Sequence, residues 1–150
     1  MRFFSRTPVR TFVIYPAVAL AWELAMKRSE FRPNLWFVPL MLWGYLQYRL
    51  CGRYRVARGG GGPGLETPPE RLVSTGLYGY TRNPMYLGHI IFLIGLTLTL
   101  KSWLAALIAI GTSIWFHTRV VGDEKKLIER LGAPYVDYLS QVKRWIPGLF

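Results

Sequence analysis

Long apolar stretches dominate the pattern of hydrophobic and polar positions along this chain. Four of them, each 16 or 17 residues long, occupy residues 11–26, 33–48, 84–100 and 102–118, and Glu23 interrupts the first. A 17-residue helix is about 26 Å long, slightly shorter than the roughly 30 Å hydrocarbon core of a bilayer. The pattern therefore predicts an all-α integral membrane helical bundle with about four transmembrane helices, followed by interfacial or cytoplasmic helices.

A soluble helical bundle is the alternative, and it requires a polar face with helical periodicity on each helix. The last two apolar stretches have almost none. Composition agrees with a membrane protein, because 51% of the 150 residues are hydrophobic and the mean hydropathy is +0.20. This composition excludes intrinsic disorder, and the length allows one domain. No small-residue cleavage site follows the first stretch, so an uncleaved membrane segment is expected instead of a signal peptide.

Positive charge is concentrated in some connections between the apolar stretches. The chain has 19 lysines and arginines against 8 acidic residues, for a net charge of +11. By the positive-inside rule both termini and the middle loop are cytoplasmic, and a bacterial-type inner membrane is expected. Because the basic residues bracket apolar stretches instead of clustering on one face, no nucleic-acid partner is expected. Fifteen of the 19 lie in these three regions: Arg2, Arg6, Arg10, Arg49, Arg53, Arg55, Arg58, Arg71, Arg82, Arg119, Lys125, Lys126, Arg130, Lys143 and Arg144.

Glycine and proline dominate residues 59–70, which predicts a flexible linker. The linker separates an N-terminal two-helix hairpin, 1–58, from a C-terminal half, 71–150, within a single membrane domain. No Gly-Lys-Ser/Thr follows the glycines, so a phosphate loop is not predicted. The single cysteine, Cys51, excludes an intramolecular disulfide and a CxxC site, and no metal is expected.

A distinctive motif begins the third apolar stretch. Asn83 before Pro84 indicates a helix start, with Asn83 as the N-cap and Pro84 at the first helical position. The first amides of such a helix can bind a carboxylate or phosphate of a ligand. Asn83, Tyr86 and Ile90 then share one face of the helix. A capped helix with interfacial tyrosines and no ligand is the alternative.

A second cluster follows the fourth stretch. If the helix continues beyond the membrane, His117 and Glu124 lie on one stripe, and Arg119 and Asp123 can form an ion pair. The two adjacent acids could bind a ligand's ammonium or hydroxyl groups, or they could belong to a solvated helix face.

The C-terminal region continues this pattern. An amphipathic helix is expected to reach residue 131, to break at 132–134, and to be followed by a helix with apolar or aromatic side chains at 135, 138, 139 and 142. The segment after it is expected to lie in the membrane interface, with Trp145 and Phe150 as anchors.

Taken in order, these motifs resemble the membrane-embedded S-adenosylmethionine-dependent methyltransferases that include isoprenylcysteine carboxyl methyltransferases and phospholipid N-methyltransferases. Residues 76–88 are similar to the family's Gly-x-Tyr and Arg-His-Pro-x-Tyr-x-Gly pattern, Arg119 with Asp123-Glu124 to its acidic pair, and Gly132, Tyr135, Tyr138 and 144–147 to its C-terminal pattern. The resemblance covers about half of the chain. Asn83 stands where many members have His, and Asp123 where they have Glu.

The resemblance implies that 71–150 is the cofactor-binding half and that 1–58 contributes to the substrate side. S-adenosylmethionine is the expected methyl donor, and a lipophilic substrate is expected to enter from the bilayer. Arg119 and Arg144 are candidate catalytic residues that would steer an acceptor carboxylate. The candidate cofactor-binding residues are Tyr80, Arg82, Asn83, Pro84, Met85, Tyr86, Gly88, His117, Asp123 and Glu124.

The acceptor determines whether a general base is required. A prenylcysteine-like carboxylate is already ionised and needs only a cation, whereas a lipid amine must lose a proton, for which His117 or His89 could serve. The expected reaction is carboxyl O-methylation, with phospholipid N-methylation as the alternative. A non-enzymatic scaffold or transporter is a further alternative, for which Glu23 is the only acid within a predicted span.

Overall fold

The structure is a computed structural model that describes residues 6–27, 30–62 and 67–146. Within these ranges all regular secondary structure is helical, which confirms the all-α prediction. The longer helices are α2 (Tyr15–Lys27), α3 (Val38–Gly59), α4 (Pro84–Leu100), α5 (Trp103–Leu131) and α6 (Ala133–Gln141), and a short α1 (Thr7–Val9) precedes them. Single turns of 3₁₀-helix occupy Leu35–Phe37 and Gly76–Gly79.

Two of these helical segments are long and apolar enough to cross a membrane. They are Thr7–Met26 and α5, with mean hydropathies of 1.3 and 1.5 over their most apolar windows. In each window only 17% of the residues are buried by protein. Helix α4 is apolar but shorter, at 17 residues. The apolar surfaces of the long helices therefore lie outside the protein core, as is typical of membrane helices.

The first of these segments contains a local irregularity next to a proline. A π-helical turn, Arg10–Ile14, joins α1 to α2, and the amide of Tyr15 donates to the carbonyl of Arg10. Pro16 follows immediately and has no amide hydrogen to give to the preceding turn. The widened turn lets the helix continue through this position.

The second apolar stretch coincides only in part with a helix. Helix α3 begins at Val38, five residues after the start of the predicted 33–48 segment, and extends through the arginines to Gly59. The side chain of Asn34 accepts a hydrogen bond from the amide of Trp36 and caps a 3₁₀ turn, and Pro39 is tolerated in the first turn of the helix. Capping and proline chemistry thus set the start of α3, and the helix start at residue 33 that hydropathy alone predicted was wrong.

The described residues form two compact units. The first takes its described residues from Met1–Leu46 and Gly88–Ile114, and the second takes its described residues from Gln47–Leu87 and Trp115–Phe150. Each unit takes residues from both sides of the predicted linker, of which 63–66 lie outside the described residues. The predicted division into 1–58, 59–70 and 71–150 assigns substrate binding and cofactor binding to different parts of the chain. That assignment stays a prediction.

In the first unit, a buried apolar cluster is the core, and small residues bring backbones together. A Cβ at Gly44 would lie 2.5 Å from the Phe92 nitrogen, and one at Gly95 would lie 2.9 Å from the Met41 nitrogen. Small residues permit such close helix contacts. Glu23 is buried in this unit. The core consists of Ala19, Phe92, Leu93, Leu96, Leu100, Ala105 and Ala109.

In the second unit, a single residue separates the last two helices. Helix α5 ends at Leu131, as predicted, and α6 begins at Ala133. Between them Gly132 has a φ of +66°, which is in the left-handed region that glycine adopts without strain. Its amide donates to the carbonyl of Ile128. This turn lets α6 fold back so that Tyr135 and Tyr138 become buried.

Candidate active site

The second unit contains a cavity of about 440 Å³. This volume lies in the range of roughly 300–1,000 Å³ that is usual for small-molecule sites. The lining comes from the C-terminal part of α3, the segment before α4, the first turn of α4, the C-terminal part of α5, and α6. Among the lining residues that the structure describes, five are basic and two are acidic: Arg55, Arg82, Arg119, Lys126 and Arg130, with Asp123 and Glu124. The excess of basic side chains among these residues favours an anionic group of a ligand, such as a carboxylate.

The cavity brings together six of the twelve residues predicted for the site. Two of the others, Pro84 and Met85, are buried, and Tyr80 is 67% exposed; none of these three lines the cavity. Gly88 belongs to the first unit. The six that line the cavity are Arg82, Asn83, Tyr86, Arg119, Asp123 and Glu124.

The start of α4 confirms the predicted helix boundary and changes the role of its cap. The helix begins at Pro84, and the Asn83 carbonyl accepts from the Leu87 amide at 3.0 Å. The Asn83 side chain donates to the carbonyl of Arg144 at 3.2 Å. Oγ1 of Thr81 donates to the same carbonyl at 3.1 Å, although no role was predicted for Thr81 from the sequence. Two polar side chains before the helix thus fix the segment that follows α6.

Glu124 is buried and fully engaged by arginines. Its Oε2 accepts from Nη2 of Arg144 at 2.8 Å, and Nε of Arg144 lies 3.2 Å from both carboxylate oxygens. Nη1 of Arg82 lies 3.4 Å from Oε1. The hydrogen bond to Glu124 raises the pKa of Arg144. The alternative of a solvated helix face was therefore wrong for Glu124, because its carboxylate is buried and pairs with two arginine side chains.

Asp123 has a more open environment than its neighbour. Oδ2 accepts from the Tyr86 hydroxyl at 3.1 Å and lies 3.7 Å from Nε of Arg119, which confirms the predicted ion pair. The side chain is 37% exposed. Asp123 is therefore oriented by two partners while part of its carboxylate remains accessible from the cavity.

Buried tyrosines form another wall of the cavity. The Tyr138 hydroxyl donates to the carbonyl of Tyr78 at 2.6 Å, and the Tyr78 hydroxyl donates to the carbonyl of Cys51 at 3.4 Å. Burial raises the pKa of Tyr135 to about 12 and also raises the pKa values of Tyr78 and Tyr138. These hydroxyls are neutral donors at physiological pH. The spacing of Tyr135 and Tyr138 signalled this face, but nothing local to Tyr78 indicated its burial.

Neither histidine lines the cavity. Nδ1 of His117 accepts from the indole Nε1 of Trp145 at 3.2 Å, and Trp145 is buried. The expectation that Trp145 is an interfacial anchor was therefore wrong, because its indole packs on His117; Phe150 lies outside the described residues. His89 is fully buried in the first unit and stacks on Phe12, with ring centroids 4.6 Å apart.

Comparison with known proteins gives this cavity a context. Residues 63–131 match the family model of the phospholipid methyltransferases. The protein-S-isoprenylcysteine O-methyltransferase of Saccharomyces cerevisiae is 40% identical over 78 residues, which is 51% of this chain and 32% of that protein. The proteins of the same name from Dictyostelium discoideum and Schizosaccharomyces pombe are 32% identical over 80 residues and 31% over 78 residues, covering 52% and 51% of this chain.

These matches confirm the resemblance to the isoprenylcysteine carboxyl methyltransferase and phospholipid methyltransferase family for the part of the chain that they cover. The matched segment spans about a third of the length of the curated relatives, 32% and 33% of the first two. The family match ends at residue 131 and includes the α4 start and the Asp123-Glu124 pair.

Proposed function

We propose that this chain is a membrane-embedded, S-adenosylmethionine-dependent methyltransferase that acts on a lipophilic acceptor, by carboxyl O-methylation of a prenylcysteine-like or other lipid-soluble substrate. The observation that carries the proposal is the cavity of the second unit. It gathers Arg82 and Asn83, Asp123 and Glu124, and Tyr135 and Tyr138, one pair from each of the three motifs that define the resemblance. The names of the three curated relatives support the carboxyl acceptor.

The cavity residues fit the chemistry of the methyl donor. S-adenosylmethionine carries an ammonium group, ribose hydroxyls, a carboxylate and a flat adenine, and when bound it supplies an electrophilic methyl group. The accessible carboxylate of Asp123 can accept from the ammonium or hydroxyl groups. Leu127 and Tyr135 offer apolar and aromatic surface for the adenine, and Arg82 supplies positive charge for the carboxylate.

The acceptor is positioned by charge and orientation. A carboxylate is its own nucleophile at neutral pH, so the protein has to hold it near the methyl group, and orientation supplies most of the rate gain. Arg119 lines the cavity and can steer such an anion. Arg144, the other candidate for this role, does not line the cavity and is bound to Glu124. We therefore assign steering of the acceptor to Arg119.

Phospholipid N-methylation is the second candidate, and the name of the matching family model favours it. An ammonium acceptor must lose a proton before it can attack, which requires a base in the cavity. His89 and His117 do not line the cavity, so Asp123 is the acidic side chain that such a reaction would have to use. The positive lining disfavours a cationic acceptor.

One assay tests the reaction and separates the two acceptors. Detergent-solubilised protein is incubated with donor labelled in the methyl group, together with either an N-acylated prenylcysteine or total membrane lipid. We expect label in the prenylcysteine that alkali releases as methanol, because methyl esters hydrolyse and N-methyl groups do not. Alkali-stable label in lipid would establish N-methylation, and no transfer to either acceptor would overturn the proposal.

We further propose that the chain crosses the membrane four times, through Thr7–Met26, α3, α4 and α5, with both termini and the middle loop in the cytoplasm of a bacterial-type cell. The distribution of arginines and lysines supports this orientation. Large apolar side chains exposed on α2, α3 and α5 would contact lipid, among them Trp22, Leu24, Leu42, Trp43, Leu107 and Ile114. A lipophilic substrate would then enter from the bilayer.

A further inference from the structure

The segment after α6 is attached to the start of α4 by its backbone. We define residues 142–146 as the clasp. The carbonyl of Lys143 accepts from the Arg82 amide at 3.0 Å. The carbonyl of Arg144 accepts from both Thr81 and Asn83, at 3.1 and 3.2 Å. Three consecutive residues before α4 therefore all donate to the clasp, and all of these contacts lie within the second unit.

The side chain of Arg144 attaches the clasp to α5 at the same time. Its guanidinium makes three hydrogen-bond contacts with Glu124, the shortest at 2.8 Å. Arg82, on the segment before α4, reaches the same carboxylate. One buried acid thus pairs with two arginines from different segments, and one positive charge remains in excess. Without it, the two cations would be adjacent in a poorly solvated environment, where repulsion is strong.

We propose that Glu124 and Arg144 are positioning residues: together with Thr81 they close the clasp and thereby hold the 81–83 wall of the cavity against α5. The inference rests on the proposed function, because the ligand of the cavity is the methyl donor. A positioning role differs from direct contact with the donor, because both carboxylate oxygens of Glu124 already accept hydrogen bonds from arginine. Glu124 supports donor binding by fixing Arg82 and Asn83, which line the cavity.

A double-mutant cycle distinguishes positioning from direct contact. Donor affinity is measured by calorimetry with S-adenosylmethionine for Glu124→Gln, Arg144→Gln and the double variant. If the two residues act as one unit, each single change weakens affinity by about tenfold or more, and the double change is no worse than either. Arg144→Lys keeps the charge and is expected to recover part of the loss. At saturating donor kcat should be largely kept, so that the effect lies in KM.

A second readout does not depend on the donor. Hydrogen–deuterium exchange over residues 81–83 reports the Arg82 amide that donates to Lys143, and it should accelerate in Glu124→Gln and in Arg144→Gln. Thr81→Val removes one bond to the clasp without unpairing a charge, and it serves if the charge variants fail to fold. Glu129→Gln, on the same helix, exposed and outside the cavity lining, is the matched control and should change neither readout.

The outcomes separate the two proposals. Additive losses in the cycle, or unchanged exchange over 81–83 in the folded variants, would overturn the clasp. A wild-type protein that binds no donor would overturn the proposed function, while exchange would still show whether Glu124 closes the clasp.

Discussion

Asp123 and Glu124 are neighbours in the sequence with opposite roles in the structure. Glu124 is buried and bound to Arg144 and Arg82, whereas Asp123 shares its carboxylate with Tyr86 and Arg119 and stays accessible. Successive residues on a helix point about 100° apart, so the two acids have different partners although both line the cavity. Asp123 is therefore the acid that we expect to touch the methyl donor.

Replacing Asp123 by Asn tests this assignment. The loss of the negative charge should weaken binding of S-adenosylmethionine by tenfold or more, measured by calorimetry in detergent. The free energy of unfolding should change by no more than about 1 kcal/mol, because the ion pair with Arg119 is partly exposed. Asp137→Asn, on the exposed side of α6, is the control and should bind normally. Unchanged affinity in Asp123→Asn would remove Asp123 from the donor site.

The buried Tyr135 predicts a loss of stability at alkaline pH. Its pKa is about 12 in the folded protein against 10.0 for an ordinary tyrosine, so the unfolded chain releases the proton first. The stabilisation is complete below pH 10 and is lost as the pH rises towards 12. The melting temperature of Tyr135→Phe should therefore fall less than that of the wild type over this range. Tyr80→Phe, at an exposed position, should follow the wild type; equal slopes in all three proteins would contradict the prediction.

At the scale of the helix, Gly44 marks a place where α3 has no room for a side chain. A Cβ there would meet the backbone of Phe92 and of Gly88, neither of which can move as a flexible side chain can. We expect Gly44→Ala to destabilise the protein by about 1–3 kcal/mol, the usual cost of overpacking. Thermal unfolding in detergent measures it. Gly111→Ala on α5 meets nothing within 4 Å and should be neutral or stabilising, so equal effects would contradict this prediction.

Local signals in the sequence predicted some element boundaries and not others. The helix start at Asn83 and Pro84 and the break at Gly132 were predictable, because capping residues and glycine act on their immediate neighbours. The start of α3 was not, since hydropathy does not reveal that Asn34 caps a separate turn. The ion pair of Arg119 with Asp123 follows from helical spacing, whereas that of Glu124 with Arg144 depends on tertiary folding.

For the whole molecule, the proposed four crossings predict opposite accessibility for two exposed lysines. In a Cys51→Ala background, Lys101→Cys lies between α4 and α5 and should react with a membrane-impermeant maleimide in intact cells. Lys125→Cys lies on the part of α5 that the proposal places in the cytoplasm, and it should react only after the membrane is permeabilised. Labelling of both in intact cells, or of neither, would overturn the proposed topology.

The excess of basic residues around the cavity has a consequence for turnover. Methyl esterification of a carboxylate removes its negative charge, so the product is neutral while the cavity keeps its positive lining. In the proposed reaction, the attraction that draws the acid in would therefore disappear when the ester forms, and the ester, now more lipophilic, would partition into the bilayer. Product inhibition should accordingly be weak. On this proposal, the charges that select the acid would also favour release of the ester.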